Sequence, residues 1–192
     1  MLRRKIELLG AAKPANLSTQ EYVQTFKNLQ TRLLKLDPSS HSFTKIAYNV
    51  YSKANDAVSA RECLEQLKTE DEEFASSELA WLLFSESDDA ESIQEATALL
   101  NRAVELNPSN VQARTRLGTL LFKAGDQGTA QMRWLQALKL DPQNPDLFYC
   151  IALHTYFVKG DSKKAAACLE KALAYRPNFK QAAYLQCVIA AE

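Results

Sequence analysis

Very little in this sequence of 192 residues belongs to catalytic chemistry. There are two histidines, His41 and His154, five glycines, and no glycine-rich phosphate loop, HExxH, GxSxG or recognisable Asp/Glu cluster. Without a base placed beside them, Ser and Cys nucleophile schemes fail. Cys150 and His154 stand four apart on one helical stretch and could share a metal, but a stable site wants about four ligands and none is paired nearby. Local packing explains them better, so no enzyme activity, cofactor or metal is expected. Long apolar runs are missing too: the longest, Tyr149 to Val158, is ten residues and contains His154, whereas a spanning helix needs about twenty. The four cysteines, Cys63, Cys150, Cys168 and Cys187, form no CxxC pair and sit among apolar neighbours. That usage fits a reducing compartment, the cytoplasm first and the nucleus as an option. Arg3, Arg4 and Lys5 with Leu2, Ile6 and Leu9 faintly resemble a transit peptide, but Glu7 and the lack of serines favour an ordinary helix.

Net charge is also absent, with 23 basic and 23 acidic residues, yet the signs are unevenly placed. Residues 1–60 carry nine basic and four acidic side chains, 61–110 three and thirteen, and 111–192 eleven and six. The acidic middle, including Glu70-Asp71-Glu72-Glu73, reads as a solvated face. Its sharper reading is a patch that steers a basic partner.

What is present is a period. Pro38, Pro108, Pro142 and Pro177 close helical-looking runs at separations of 70, 34 and 35 residues, a unit of about 34 with one mark missing. That phase aligns Ala60, Ala96, Ala130 and Ala165 in one column and Leu67, Ala103, Ala137 and Ala172 in another. Leu64, Leu100, Trp134 and Leu169 fall four places after the first column, the spacing of one helical face. Asn55-Asp56, Gly125-Asp126 and Gly160-Asp161 divide three units with a left-handed stop followed by an N-cap. Asn110 and Asn144 supply further caps, and Pro145 suits a first helical position. Each unit reads as a helical hairpin, and no alternating strand pattern survives beside these signals.

These residues resemble the tetratricopeptide repeat family, whose pattern is W-x2-L-G-x2-Y, A-x3-F and P on a 34-residue helix–turn–helix unit. Residues 111–144 match with Leu117-Gly118, Leu121, Ala130, Trp134, Ala137 and Pro142, and 146–179 with Tyr149, Ala152, Tyr156, Ala165, Leu169, Ala172 and Pro177. Units 77–110 and 41–74 are divergent: the first lacks the turn glycine, the second the proline. The expected architecture is all-α, a right-handed α-solenoid of stacked hairpins forming one domain over 1–192. Residues 1–38 would be a degenerate first hairpin, opened in its second helix by the capping box Ser18-Thr19-Gln20-Glu21, and 180–192 a capping or truncated helix. Ala182, Ala183, Val188, Ile189 and Ala190 make that last helix apolar for a cap, which favours truncation or burial by a partner.

The resemblance implies binding of a protein or peptide in a groove lined by the first helix of each repeat. Carried onto this sequence, the lining is Lys45, Asn49, Trp81, Arg116, Thr119, Ile151, His154, Phe157, Tyr184 and Leu185. Neither a small-molecule substrate nor a membrane is expected, and the acidic middle argues against a nucleic-acid groove. The leading expectation is a non-catalytic adaptor, a subunit of a larger complex. Co-chaperones of the family grip acidic chaperone tails with Lys-x-x-x-Asn, Asn, and Lys-x-x-x-Arg on successive repeats. Here Lys45, Asn49 and Arg116 match, while Leu82 and Gln112 depart from that clamp and Glu78 opposes it. The other alternative is a scaffold that self-associates through its C-terminal helix.

Overall fold

The computed structural model describes residues 2–36, 42–87 and 89–191; Pro38 and His41 lie outside them. Among the described residues there are α-helices and no strands. In chain order they are α1 (Leu2–Ala11), α2 (Thr19–Leu36), α3 (Ser42–Lys53), α4 (Ala57–Leu67), α5 (Glu72–Glu86) and α6 (Ala90–Leu106). They continue as α7 (Val111–Lys123), α8 (Gln127–Leu140), α9 (Pro145–Phe157), α10 (Ser162–Tyr175) and α11 (Lys180–Ala190). The all-α reading therefore holds. The chain groups into two compact units, 1–82 and 83–192.

In the first unit, α2 opens with a reciprocal capping box: Ser18 N–H donates to Glu21 Oε2 at 3.0 Å, and Glu21 N–H donates to Ser18 Oγ at 3.2 Å. The i, i+4, i+7, i+11 residues of that helix, Tyr22, Phe26, Leu29 and Leu33, are all buried. Phe26 meets Tyr51 of α3 edge-on at 6.0 Å. Asn55 takes the left-handed conformation (φ 61°) that ends α3, and Asp56 caps α4 by accepting from Ser59 N–H at 3.1 Å.

The second unit repeats this construction. Gly125 (φ 90°) and Gly160 (φ 63°) end the first helix of each hairpin. Asp126 and Asp161 then accept from Thr129 N–H at 3.1 Å and Lys164 N–H at 3.0 Å. The sequence columns form its core: Ala96, Ala130, Ala165, Ala103, Ala137 and Ala172 are fully buried, so neighbouring backbones approach closely. Leu100, Trp134 and Leu169 fill the space between, and truncating such a large buried residue costs about 2–5 kcal/mol. Each hairpin buries only a stripe, which is why stacking α7–α8, α9–α10 and α11 in succession is needed for stability.

Candidate protein-binding surface

The N-caps set the register of the first helices in the second unit. Asn110 Oδ1 accepts from Ala113 N–H at 2.8 Å, and Asn144 Oδ1 from Asp146 N–H at 3.1 Å and Leu147 N–H at 3.3 Å. Counting forward from each cap pairs Ala113 with Leu147, Leu117 with Ile151, Gly118 with Ala152 and Leu120 with His154, and every one of these is buried. The open stripe pairs Arg116 with Cys150, Thr119 with Leu153, Phe122 with Tyr156 and Lys123 with Phe157, all half-buried or exposed.

This register places the expected lining residues unequally. Arg116 and Thr119 lie half-buried on α7, Phe157 is 67% exposed at the end of α9, and Tyr184 is 73% exposed on α11. Ile151, His154 and Leu185 are instead core residues, at 8%, 3% and 5% exposure, and offer a partner almost no surface. The expected lining sets the fourth unit one residue late: its first helix lies 34 residues after that of the third, not 35. One residue on a helix is a turn of about 100°, enough to exchange an open stripe for a buried one. Stripe residues absent from that lining include Leu153 and Tyr156, and the cap-to-cap distance from Asn110 to Asn144 is the signal that finds them.

Around this stripe the threonine hydroxyls are satisfied locally. Thr115 and Thr119 hydroxyls donate back to the carbonyls of Val111 (2.7 Å) and Thr115 (3.0 Å). The Thr115 carbonyl also accepts from the indole N–H of Trp134 at 3.2 Å. Cys150 Sγ lies 4.0 Å from Thr119 Oγ1, and burial pushes its thiol up to about 11, which keeps it protonated and weakly nucleophilic. His154 contacts the rings of Phe122 (6.2 Å) and Trp134 (6.4 Å), and its buried Nδ1 has no hydrogen-bond partner. Burial first, and the Lys159 charge second, hold its pKa below the ordinary 6.5, so the imidazole is neutral near pH 7. Cys150 and His154 thus pack beside the core, and among the described residues no group of three or more His, Cys, Asp or Glu could hold a metal ion. Asp146, at the start of α9, is gripped by both terminal nitrogens of Arg176 at 2.8 and 2.7 Å.

In the first unit, Lys45 on α3 forms an ion pair with Asp71 and lies 4.7 Å from the Phe74 ring centroid. Its hydrogen bond is the main reason the Asp71 carboxyl lies below the usual carboxylate value. Tyr48 donates to Glu78 Oε2 at 2.6 Å. Asn49 is exposed, and Trp81 is 39% exposed.

Residues 99–132 and 148–179 each match a family model described as a tetratricopeptide repeat. Among curated proteins, the human protein O-mannosyl-transferase TMTC3 is 29% identical over 100 residues, 52% of this chain and 11% of its own length. Cellulose synthase operon protein C of Pseudomonas fluorescens (strain SBW25) is 32% identical over 87 residues, 45% of this chain and 7% of its own. The chain therefore spans about a tenth or less of the length of these relatives. Among solved structures, TTC0263, a thermophilic TPR protein in Thermus thermophilus, superposes with a TM-score of 0.70 at 20% identity, covering 100% of this chain and 97% of that one. YrrB, a TPR protein, gives 0.65 at 24% identity, covering 96% and 90%. Both likenesses are of fold, a helical solenoid. With matched models on two hairpins and the same caps, turns and small-residue columns continuing beyond them, the chain carries tetratricopeptide repeats.

Proposed function

We propose that this chain is a non-catalytic adaptor that holds a protein segment against the open stripe of α7, α9 and α11, as a subunit of a larger assembly. The observation that carries the reading is the pair of aromatics, Phe157 and Tyr184, left 67% and 73% exposed on the first helices of successive hairpins. Large aromatic rings cost free energy in water and are the residue class that dominates binding energy once covered. Arg116 and Thr119, half-buried on α7, add polar groups that suit a peptide. YrrB, similar in fold, has an unusual peptide-binding site, which supports a peptide-like occupant here. The unpaired cysteines fit a cytoplasmic or nuclear setting.

Capture from a cell extract on the immobilised protein, with bound proteins identified by mass spectrometry, tests the reading. Phe157→Ser with Tyr184→Ser should abolish a captured species that Met132→Ser, at another exposed apolar site on the second helix α8, leaves in place. Identical capture by all three proteins would remove this surface from consideration. Self-association is the second reading, favoured by Tyr184 and Cys187 both being exposed on α11. Concentration-dependent mass in light scattering, abolished by Tyr184→Glu, would select it. The chaperone-tail clamp draws less support, because Lys45 is already engaged by Asp71.

A further inference from the structure

A cleft of about 400 Å³ opens between α2 and α4 in the first unit, on the second helices of two hairpins. Its walls are polar in an ordered way. Along α2, Gln24, Asn28 and Thr31 follow each other at i, i+4 and i+7; along α4, Ser59, Glu62 and Gln66 do so at i, i+3 and i+7. At 1.5 Å per residue both rows are about 10 Å long, which is the length of about three residues of extended chain.

The side chains at the cleft are held with defined polarity. Tyr51 Oη donates to Gln30 Oε1 at 2.7 Å, which leaves the Gln30 amide N–H groups as donors. Gln24 Nε2 donates to Asn28 Oδ1 at 3.2 Å, so that pair presents the Gln24 carbonyl as acceptor beside the Asn28 NH2 as donor. A donor and an acceptor side by side are complementary to the C=O and N–H of a peptide main chain. Charge contributes little: the cleft is lined by one cation and one acid, and the cation, Lys27, is drawn to Asp56 at 3.5 Å. The Cys63 thiol is pushed up to about 11, first by burial, and stays neutral. A sugar would want an open aromatic face, but the Tyr51 ring is occupied by Lys27, 5.5 Å from its centroid, and by the edge of Phe26.

We infer that the cleft between α2 and α4 is a second binding site, which takes an uncharged extended polypeptide segment through its main chain. It is independent of the α7, α9 and α11 surface, so each reading can fail alone.

The test titrates isotope-labelled protein with a library of end-blocked hexapeptides bearing uncharged side chains, and follows the side-chain amide signals of Gln24, Asn28 and Gln30 by NMR. The expected result is saturable movement of those signals. It should weaken about tenfold, the equivalent of one or two lost hydrogen bonds, when the library is N-methylated on its main chain and when Asn28→Leu is introduced. Asn28 and Gln24 are exposed, so replacing either leaves the core intact, and Gln24→Leu, which should weaken binding in the same way, is the second variant. Unmoved amide signals, equal response to the N-methylated library, wild-type response in Asn28→Leu, or movement with maltotetraose in place of peptide would each overturn the assignment.

Discussion

Trp134 lies against the bare backbone of Gly118: a Cβ added there would sit 2.5 Å from the indole Nε1 and 2.6 Å from Cδ1. The indole is 1% exposed and tied to the Thr115 carbonyl, so it has nowhere to retreat. Gly118→Ala should therefore destabilise the protein, because overpacking of about 1–3 kcal/mol exceeds the ~1 kcal/mol that alanine gains as a helix former. In the next hairpin the corresponding positions hold Ala152 and Leu169, a larger residue facing a smaller one. Thermal unfolding of Gly118→Ala, Trp134→Leu and the double variant checks this. The double variant should be more stable than the sum of the single losses implies, and strict additivity would show that the two sites do not touch.

His154 gives the stability an acid limb. Its folded-state pKa lies below the unfolded value of about 6.5, so below that pH the unfolded chain takes up the proton first. The stabilisation from the neutral ring is complete above about pH 6.5 and declines as pH falls, by at most about 1.4 kcal/mol per pH unit. Burial beside the rings of Phe122 and Trp134 disfavours a charge on the imidazole, and the charge of Lys159 repels one. Leu120 occupies the same cap-relative position one hairpin earlier, which makes His154→Leu a fitting replacement. Urea unfolding at about pH 5.5 and 7.5 should show a smaller difference for that variant than for the wild-type chain. Matching pH profiles would assign the limb to other groups.

Much of the fold could be read locally. Ser18 with Glu21 and Gly125 with Asp126 act through neighbours within one helical turn, and the buried alanines at 96, 130 and 165 announce themselves by recurring at a fixed period. The candidate surface could be read less well, because it depends on phase. A single-residue difference between the 34 and 35 spacings separates an open stripe containing Ile151 and His154 from the observed one, in which both are core and Cys150 and Leu153 take their place. Pairings such as Lys45 with Asp71 and Tyr48 with Glu78 join residues 26 and 30 apart, and no short-range pattern announces them.

Two glycines three residues apart should respond to alanine with opposite signs. Gly125 has φ +90° and Gly128 lies in α8, and neither has an atom within 4 Å of an added Cβ. Space is therefore not at issue, and only backbone preference differs. Gly125→Ala should cost about 1–2 kcal/mol, the penalty of a left-handed residue bearing a Cβ. Gly128→Ala should gain about 0.5–1 kcal/mol from helix propensity. Chemical denaturation of the two variants measures both, and a shared sign would contradict the turn geometry.

The grip of Arg176 on Asp146 joins the end of α10 to the start of α9 across the outside of the second unit. It is bidentate but about half exposed, so solvent screening limits its worth to roughly 0.2–1 kcal/mol. Arg176 also covers the Phe179 ring at 4.8 Å, and that ring packs on Tyr149 at 5.1 Å, where α11 begins. Removing the arginine thus deletes two contacts of different physical kind. The ion-pair share should shrink as salt rises, whereas the ring-covering share should persist, since apolar contact is insensitive to ionic screening. A double-mutant cycle of Arg176→Ala with Asp146→Ala separates them. The coupling energy should fall toward zero at about 1 M salt, while Arg176→Ala alone stays destabilising there. If all of the loss disappears with salt, the arginine acts on Asp146 only, and its place over Phe179 contributes nothing to the docking of α11.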